Sequence, residues 1–177
     1  MDIIKAGGWL LYIATGTGFI VFTALDANPL WILPIALIAL GYFFGLSRHV
    51  AECGEAVIMS KNGIFVTMAA TIGAAAITWL INHELGYGAL VASGLIGVIA
   101  GVTLPPALAG AAYVGSFVGM SAGTILPTIG MAVIGGALAG LITIATVPIF
   151  GGIGGKGGTT AAAAVLLTAT LIFTVGM

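Results

Sequence analysis

Hydrophobic residues in this chain come in long unbroken runs, without the alternation of a half-buried strand or the narrow stripe of a surface helix. Seven stretches stand out: residues 7–25, 30–46, 63–81, 86–104, 106–122, 125–147 and 159–176. A helix that crosses hydrocarbon needs about 20 mostly apolar residues, and a helix apolar on every side belongs in a deep core or a membrane. The runs predict an all-α, polytopic integral membrane protein with about seven transmembrane helices in one membrane domain, residues 1–177.

Turn chemistry separates the runs. Asp26-Ala27-Asn28-Pro29 divides the first two, and residues 47–62 form the longest polar connection. Asn82-His83-Glu84, Pro105-Pro106, residues 121–124 and residues 150–158 follow. No cleavable signal peptide is read at the start, which leads through Lys5 into the first span. Stretch 106–122 is short and holds Gly110, Gly115, Ser116, Gly119 and Ser121. It suits either a full span or a re-entrant segment buried in protein, so the alternative count is six.

Composition changes the picture by naming the solvent. Of 177 residues, 60% are hydrophobic and 5% charged, against roughly a quarter charged in ordinary soluble domains. Such a surface calls for lipid. The 29 glycines then read as close helix packing, because small residues let backbones approach each other. A net charge of −1 provides no basic face for nucleic acid. The single cysteine, Cys53, closes no internal disulfide and has no cysteine partner for a metal.

The four cations, Lys5, Arg48, Lys61 and Lys156, vote on orientation. Cytoplasmic loops are enriched in Lys and Arg. Seven spans with the N-terminus inside put all four on the cytoplasmic side, whereas six spans move Lys156 out. The expected location is a prokaryotic plasma (inner) membrane with the N-terminus cytoplasmic.

An internal repeat is also expected. Thr103-Leu104-Pro105 recurs as Thr146-Val147-Pro148 at an offset of 43 residues. At that offset Leu95 matches Leu138, Gly97 matches Gly140, and Gly115-Ser116 matches Gly158-Thr159. The pattern reads as a parallel repeat of helix hairpins, residues 86–123 and 127–166, one way in which transporter folds are assembled. Chance matching among Gly-, Ala- and Leu-rich helices is the competing reading.

Candidate chemistry concentrates in Gly151-Gly152-Ile153-Gly154-Gly155-Lys156-Gly157-Gly158-Thr159-Thr160, a loop leading into the last helix. Glycine backbones allow successive N–H groups to face one concavity. The helix N-terminus adds partial positive charge, and Lys156 adds a full one. A small anion or polar solute suits Gly154, Gly155, Lys156, Gly157, Gly158, Thr159 and Thr160, with Gly115 and Ser116 from the other copy. A flexible loop whose lysine merely marks the cytoplasmic side is the competing reading. The run is no nucleotide P-loop, since Gly157 follows the lysine and Phe150 holds the required first glycine position.

Other polar groups read as local. Arg48 and Glu52 are spaced for an ion pair on a helix. His49 and Glu52 are spaced for a metal but lack further ligands, so no metal site is expected. His83-Glu84 begins a zinc-protease motif that fails at Tyr87. Asp26 reads as a turn residue beside Asn28-Pro29. Intramembrane hydroxyls such as Thr71, Thr143 and Thr168 either bond the carbonyl one turn back or line a path. Small residues four apart, at Gly41/Gly45, Gly97/Gly101, Gly115/Gly119/Gly123 and Gly136/Gly140, read as packing strips.

The function expected is a small transporter or channel for a small polar solute or anion. The alternative is a non-catalytic structural subunit of a larger membrane complex. No catalytic acid, base or nucleophile set stands out, so an enzyme is not expected, and no cofactor is implied. The expected partners are the lipid bilayer, a small solute or ion, and a second copy or a membrane-complex partner, because so short a chain encloses little of a pathway alone.

Overall fold

The computed structural model describes residues 3–25, 27–51, 59–147, 149 and 155–175. Every regular element among them is helical: α1 (Ile3–Leu25), α2 (Ile32–Ala51), α3 (Lys61–Trp79), α4 (Ala89–Thr103), α5 (Pro106–Gly119), α6 (Ile129–Ala145) and α7 (Lys156–Val175). Three helices are long and apolar enough to cross a membrane, over Ala6–Leu25, Lys61–Glu84 and Lys156–Thr174. Four shorter apolar helices accompany them: Pro29–Gly45, Ala89–Thr103, Pro106–Gly119 and Ile129–Ala145.

Local chemistry sets the helix starts. Asn28 Oδ1 accepts from Leu30 N at 3.2 Å, and Pro29 opens a 3-10 turn that runs into α2. Ser60 caps α3 by accepting from Gly63 N at 3.1 Å. Pro106 sits in the first turn of α5, where its missing N–H costs nothing. Leu104 before the proline pair is extended, at φ −111° and ψ 152°. Thr128 Oγ1 accepts from Met131 N at 3.3 Å at the head of α6.

Several boundaries differ from the sequence reading. Residues 47–51 continue α2, so Arg48 and His49 are helical, while Glu52 and Cys53 lie outside the described residues. Asn82-His83-Glu84 does not break the chain after α3: it forms a π-helical extension, Leu80–Glu84, in which Leu85 N–H bonds Leu80 O at 3.0 Å. α7 begins at Lys156 instead of Thr159.

The chain divides into two compact units. The first holds Met1–Val57 with Thr146–Ile153. Trp9, Tyr12 and Ile149 form its buried cluster, and the Tyr12 hydroxyl lies 3.1 Å from Thr146 Oγ1. The Tyr42 hydroxyl of α2 donates to Tyr12 O of α1 at 3.0 Å. Its ring lies over Gly16, where a Cβ would meet Tyr42 Cζ at 2.6 Å.

The second unit holds Ile58–Ala145 with Gly154–Met177, and α3 packs against both α5 and α6. Gly115 faces the Thr71 carbonyl and Gly119 faces Ala75, so α3 and α5 advance together and run parallel. Gly136 faces Ile72 and Ala75 while Gly140 faces Met68 and Thr71, so α6 runs the other way. On α5 the hydrogen that stands in place of a Cβ points at an α3 carbonyl, the close contact that small-residue strips permit. In the two proposed repeat copies, α4 and α6 occupy corresponding stretches. Gly97 of α4 meets the Tyr113 ring at 2.9 Å, whereas its counterpart Gly140 meets α3.

Large and small residues are distributed opposite to a soluble core. Buried positions are mostly Ala, Gly, Thr and Ser, including Ala75, Ala92, Ala139, Ala164, Thr71 and Ser116. Leu30, Leu90, Val102 and Phe173 are each more than 80% exposed. An apolar exterior of this extent is compatible with hydrocarbon as the solvent.

Candidate functional site

The glycine-rich segment is described from Gly155 onward, and Gly154 lies outside the described residues. Gly155 has φ +94°, a conformation that side-chain-bearing residues rarely adopt. It turns the chain directly into α7. The first intrahelical bond runs from Thr159 N to Gly155 O at 3.0 Å, and the first N–H groups of an α-helix point out of its N-terminal end. Thr159 Oγ1 bonds back to Gly155 O at 3.2 Å, and Thr160 Oγ1 to Lys156 O at 2.9 Å.

This helix start is set against protein. A Cβ on Gly157 would lie 3.3 Å from Val114 Cγ2, in the second half of α5. Thr160, Ala161, Ala163 and Ala164 are all buried. Lys156 and Gly157 are half-buried, whereas Gly158 faces open space, with nothing within 4 Å of its missing Cβ.

Gly115 and Ser116 follow Val114 directly but turn to other neighbours. Gly115 is pressed against Thr71 of α3. Ser116 is wholly buried, donates to Tyr113 O at 2.8 Å, and lies 2.9 Å from Ser93 Oγ of α4. Because Ser116 gives its hydrogen to Tyr113 O, Ser93 is the donor between the two hydroxyls. The structure thus brings the start of α7 beside Val114, while Gly115 and Ser116 bind α5 to α3 and α4.

No protein-family model, curated protein or solved structure matches this chain.

Several hydroxyls in the apolar helices follow the first of their two readings. Thr71, Thr103, Thr143, Thr168 and Thr170 each bond a carbonyl one turn back, at 2.7 to 3.2 Å. The Ser93–Ser116 pair is instead a bond between helices, and the Thr78 hydroxyl has no hydrogen-bond partner among the described residues. Alanine at either position should cost about 1 kcal/mol in thermal unfolding in detergent, and the double variant little more than one single. Strict additivity in that cycle would remove the pair as a tie between α4 and α5.

Two polar residues missed as anchors are Trp79 and His83, one turn apart on α3 and its extension. Trp79 Nε1–H donates to Leu126 O at 2.9 Å, and His83 Nε2 lies 3.0 Å from Ser121 O. The signal was their four-residue spacing, which puts both rings on one face. Their centroids are 5.0 Å apart. Asp26 lies outside the described residues.

Proposed function

We propose that this chain is a seven-span protein of a prokaryotic plasma membrane, with a cytoplasmic N-terminus, that moves a small anion or polar solute. The observation that carries the reading is the seat of the α7 N-terminus against the second half of α5. In the seven-span arrangement this lies at membrane depth. Interrupted helices whose N-termini point into the membrane interior are how many secondary transporters hold anionic groups. Gly155, Lys156, Gly157, Gly158 and Thr159 supply the contacts: backbone N–H groups, one ammonium and one hydroxyl. The open space at Gly158 provides the approach. A second copy completes the route that one chain leaves partial.

Flux of radiolabelled small anions into proteoliposomes tests this. Lys156→Ala should lower flux about tenfold or more, as expected for one lost charge-assisted contact. Gly158→Leu should block it. Unchanged flux in both variants would end the proposal for this site.

One observation favours the second reading, a structural subunit of a larger membrane complex. The second unit has its buried hydroxyls mostly bonded to their own helices, around a core of small residues. Purification in mild detergent separates the readings, because a stable assembly of this chain alone argues against obligate foreign partners.

A further inference from the structure

α4 and α5 form the walls of a groove of about 500 Å³, lined by Gly94, Gly97, Val98, Ala109, Gly110 and Tyr113. That volume falls within the range of small-molecule sites, about 300–1,000 Å³. The far side of the helix pair holds the walls in place. There the Ser93 and Ser116 hydroxyls lie 2.9 Å apart, and Ala100 and Ala112 pack with Ala74 of α3. On the groove side nothing lies within 4 Å of a Cβ added at Gly94 or Gly110, so bare helix backbone forms the floor.

Tyr113 is the one polar side chain in this lining. Its ring reaches across to α4, where a Cβ on Gly97 would meet Tyr113 Cε2 at 2.9 Å. The Phe117 ring, one turn further along α5, lies 4.4 Å from it. α4 runs over Ala89–Thr103 and α5 over Pro106–Gly119, so this contact falls midway along both helices. The Tyr113 side chain is 44% exposed, and its hydroxyl has no hydrogen-bond partner among the described residues.

Tyrosines of membrane proteins gather at the two interfaces, where the hydroxyl meets water. A phenol held midway along spanning helices meets hydrocarbon, and an unmet donor there is costly. A partner for it must arrive through the lipid and bring an acceptor. The glycine floor admits a flat ring against the backbone, and the Tyr113 and Phe117 rings supply faces and edges for offset stacking. The outer wall, Val98, is 66% exposed, which leaves a way out for a hydrocarbon tail.

We propose that the α4–α5 groove binds a lipid-soluble quinone, its ring on the floor of Gly94, Gly97 and Gly110 and one carbonyl accepting from the Tyr113 hydroxyl. The site rests on α4 and α5 spanning the membrane, as in the seven-span arrangement, and not on the anion contacts at α7.

Tritiated decylubiquinone, titrated into the full chain in lipid nanodiscs, should bind saturably. Tyr113→Phe keeps the ring and removes only the donor, so Kd should rise about tenfold. Gly94→Leu fills the floor and should abolish saturable binding. Gly73→Leu on α3, where the added side chain also starts in open space, should bind as the parent does. A parent that takes up the probe without saturation has a groove filled by lipid chains, which overturns the proposal. Equal affinity in the parent and Tyr113→Phe overturns it too, and that variant decides alone if Gly94→Leu does not fold. Labelling Tyr87→Cys and Leu104→Cys from opposite sides of sealed vesicles checks the span of α4 separately. Labelling of both from one side removes the span, and the quinone site with it. Lys156→Ala should leave the binding unchanged. A chain that binds the quinone but carries no anion fails the transport reading alone, and one that carries the anion but binds no quinone fails this one alone.

Discussion

Gly115→Ala is expected to force α3 and α5 apart and to cost about 1–3 kcal/mol, the range for overpacking a close contact. The added methyl would meet the Thr71 backbone, with Thr71 Cα only 2.9 Å away. Backbone cannot swing aside as the end of a side chain can, so the helix must move. Gly119→Ala should act alike, since Thr78 Cβ and Trp79 N lie 2.7 and 2.9 Å from the new atom. Because one separation of the helices relieves both clashes, the double variant should cost less than the sum. Gly101→Ala is the control. Nothing lies within 4 Å of its new methyl, and alanine is up to about 1 kcal/mol better than glycine in a helix. Thermal unfolding of purified variants in one detergent ranks them. A Gly115→Ala protein as stable as the Gly101→Ala protein would refute the close α3–α5 contact.

Trp79→Ala should be the most destabilising single truncation in the second unit, at about 3–5 kcal/mol. Trp79 is 6% exposed, and its indole N–H reaches Leu126 O in the connection between α5 and α6. Truncation leaves a cavity and strands Leu126 O, a carbonyl whose residue is fully buried. The stranded carbonyl accounts for about 1–3 kcal/mol of the loss. Trp79→Phe keeps most of the ring and gives up only the N–H, so it should fall near the lower figure. If both variants unfolded with the parent, the bond to Leu126 would have no energetic meaning.

The existence of the helices was legible in the chain because apolar runs of such length have few other stable outcomes. Each of the seven runs holds a helix. Their ends were legible where backbone chemistry is local, as at Asn28-Pro29 and Pro105-Pro106. Ends read from polarity moved. His83 looked like a loop residue because a half-buried imidazole in an apolar helix needs a partner, and the partner, Ser121 O, is 38 residues away in the chain. Lys156 looked like a loop residue for a similar reason, yet glycines and a lysine are tolerated in a first turn whose N–H groups lack helical acceptors anyway.

Glycine spacing shows where sequence stops. Gly97 and Gly101, Gly115 and Gly119, and Gly136 and Gly140 share one four-residue pattern. The pattern by itself determines that each pair lies on one face of a helix, and apolar run length determines that the helices exist. Only the tertiary structure decides that α5 and α6 spend their pairs on opposite directions of α3, while Gly101 meets nothing. A helical period depends on one segment alone. Which face that segment buries depends on the shapes of all the helices that compete for it, and no single segment carries that information.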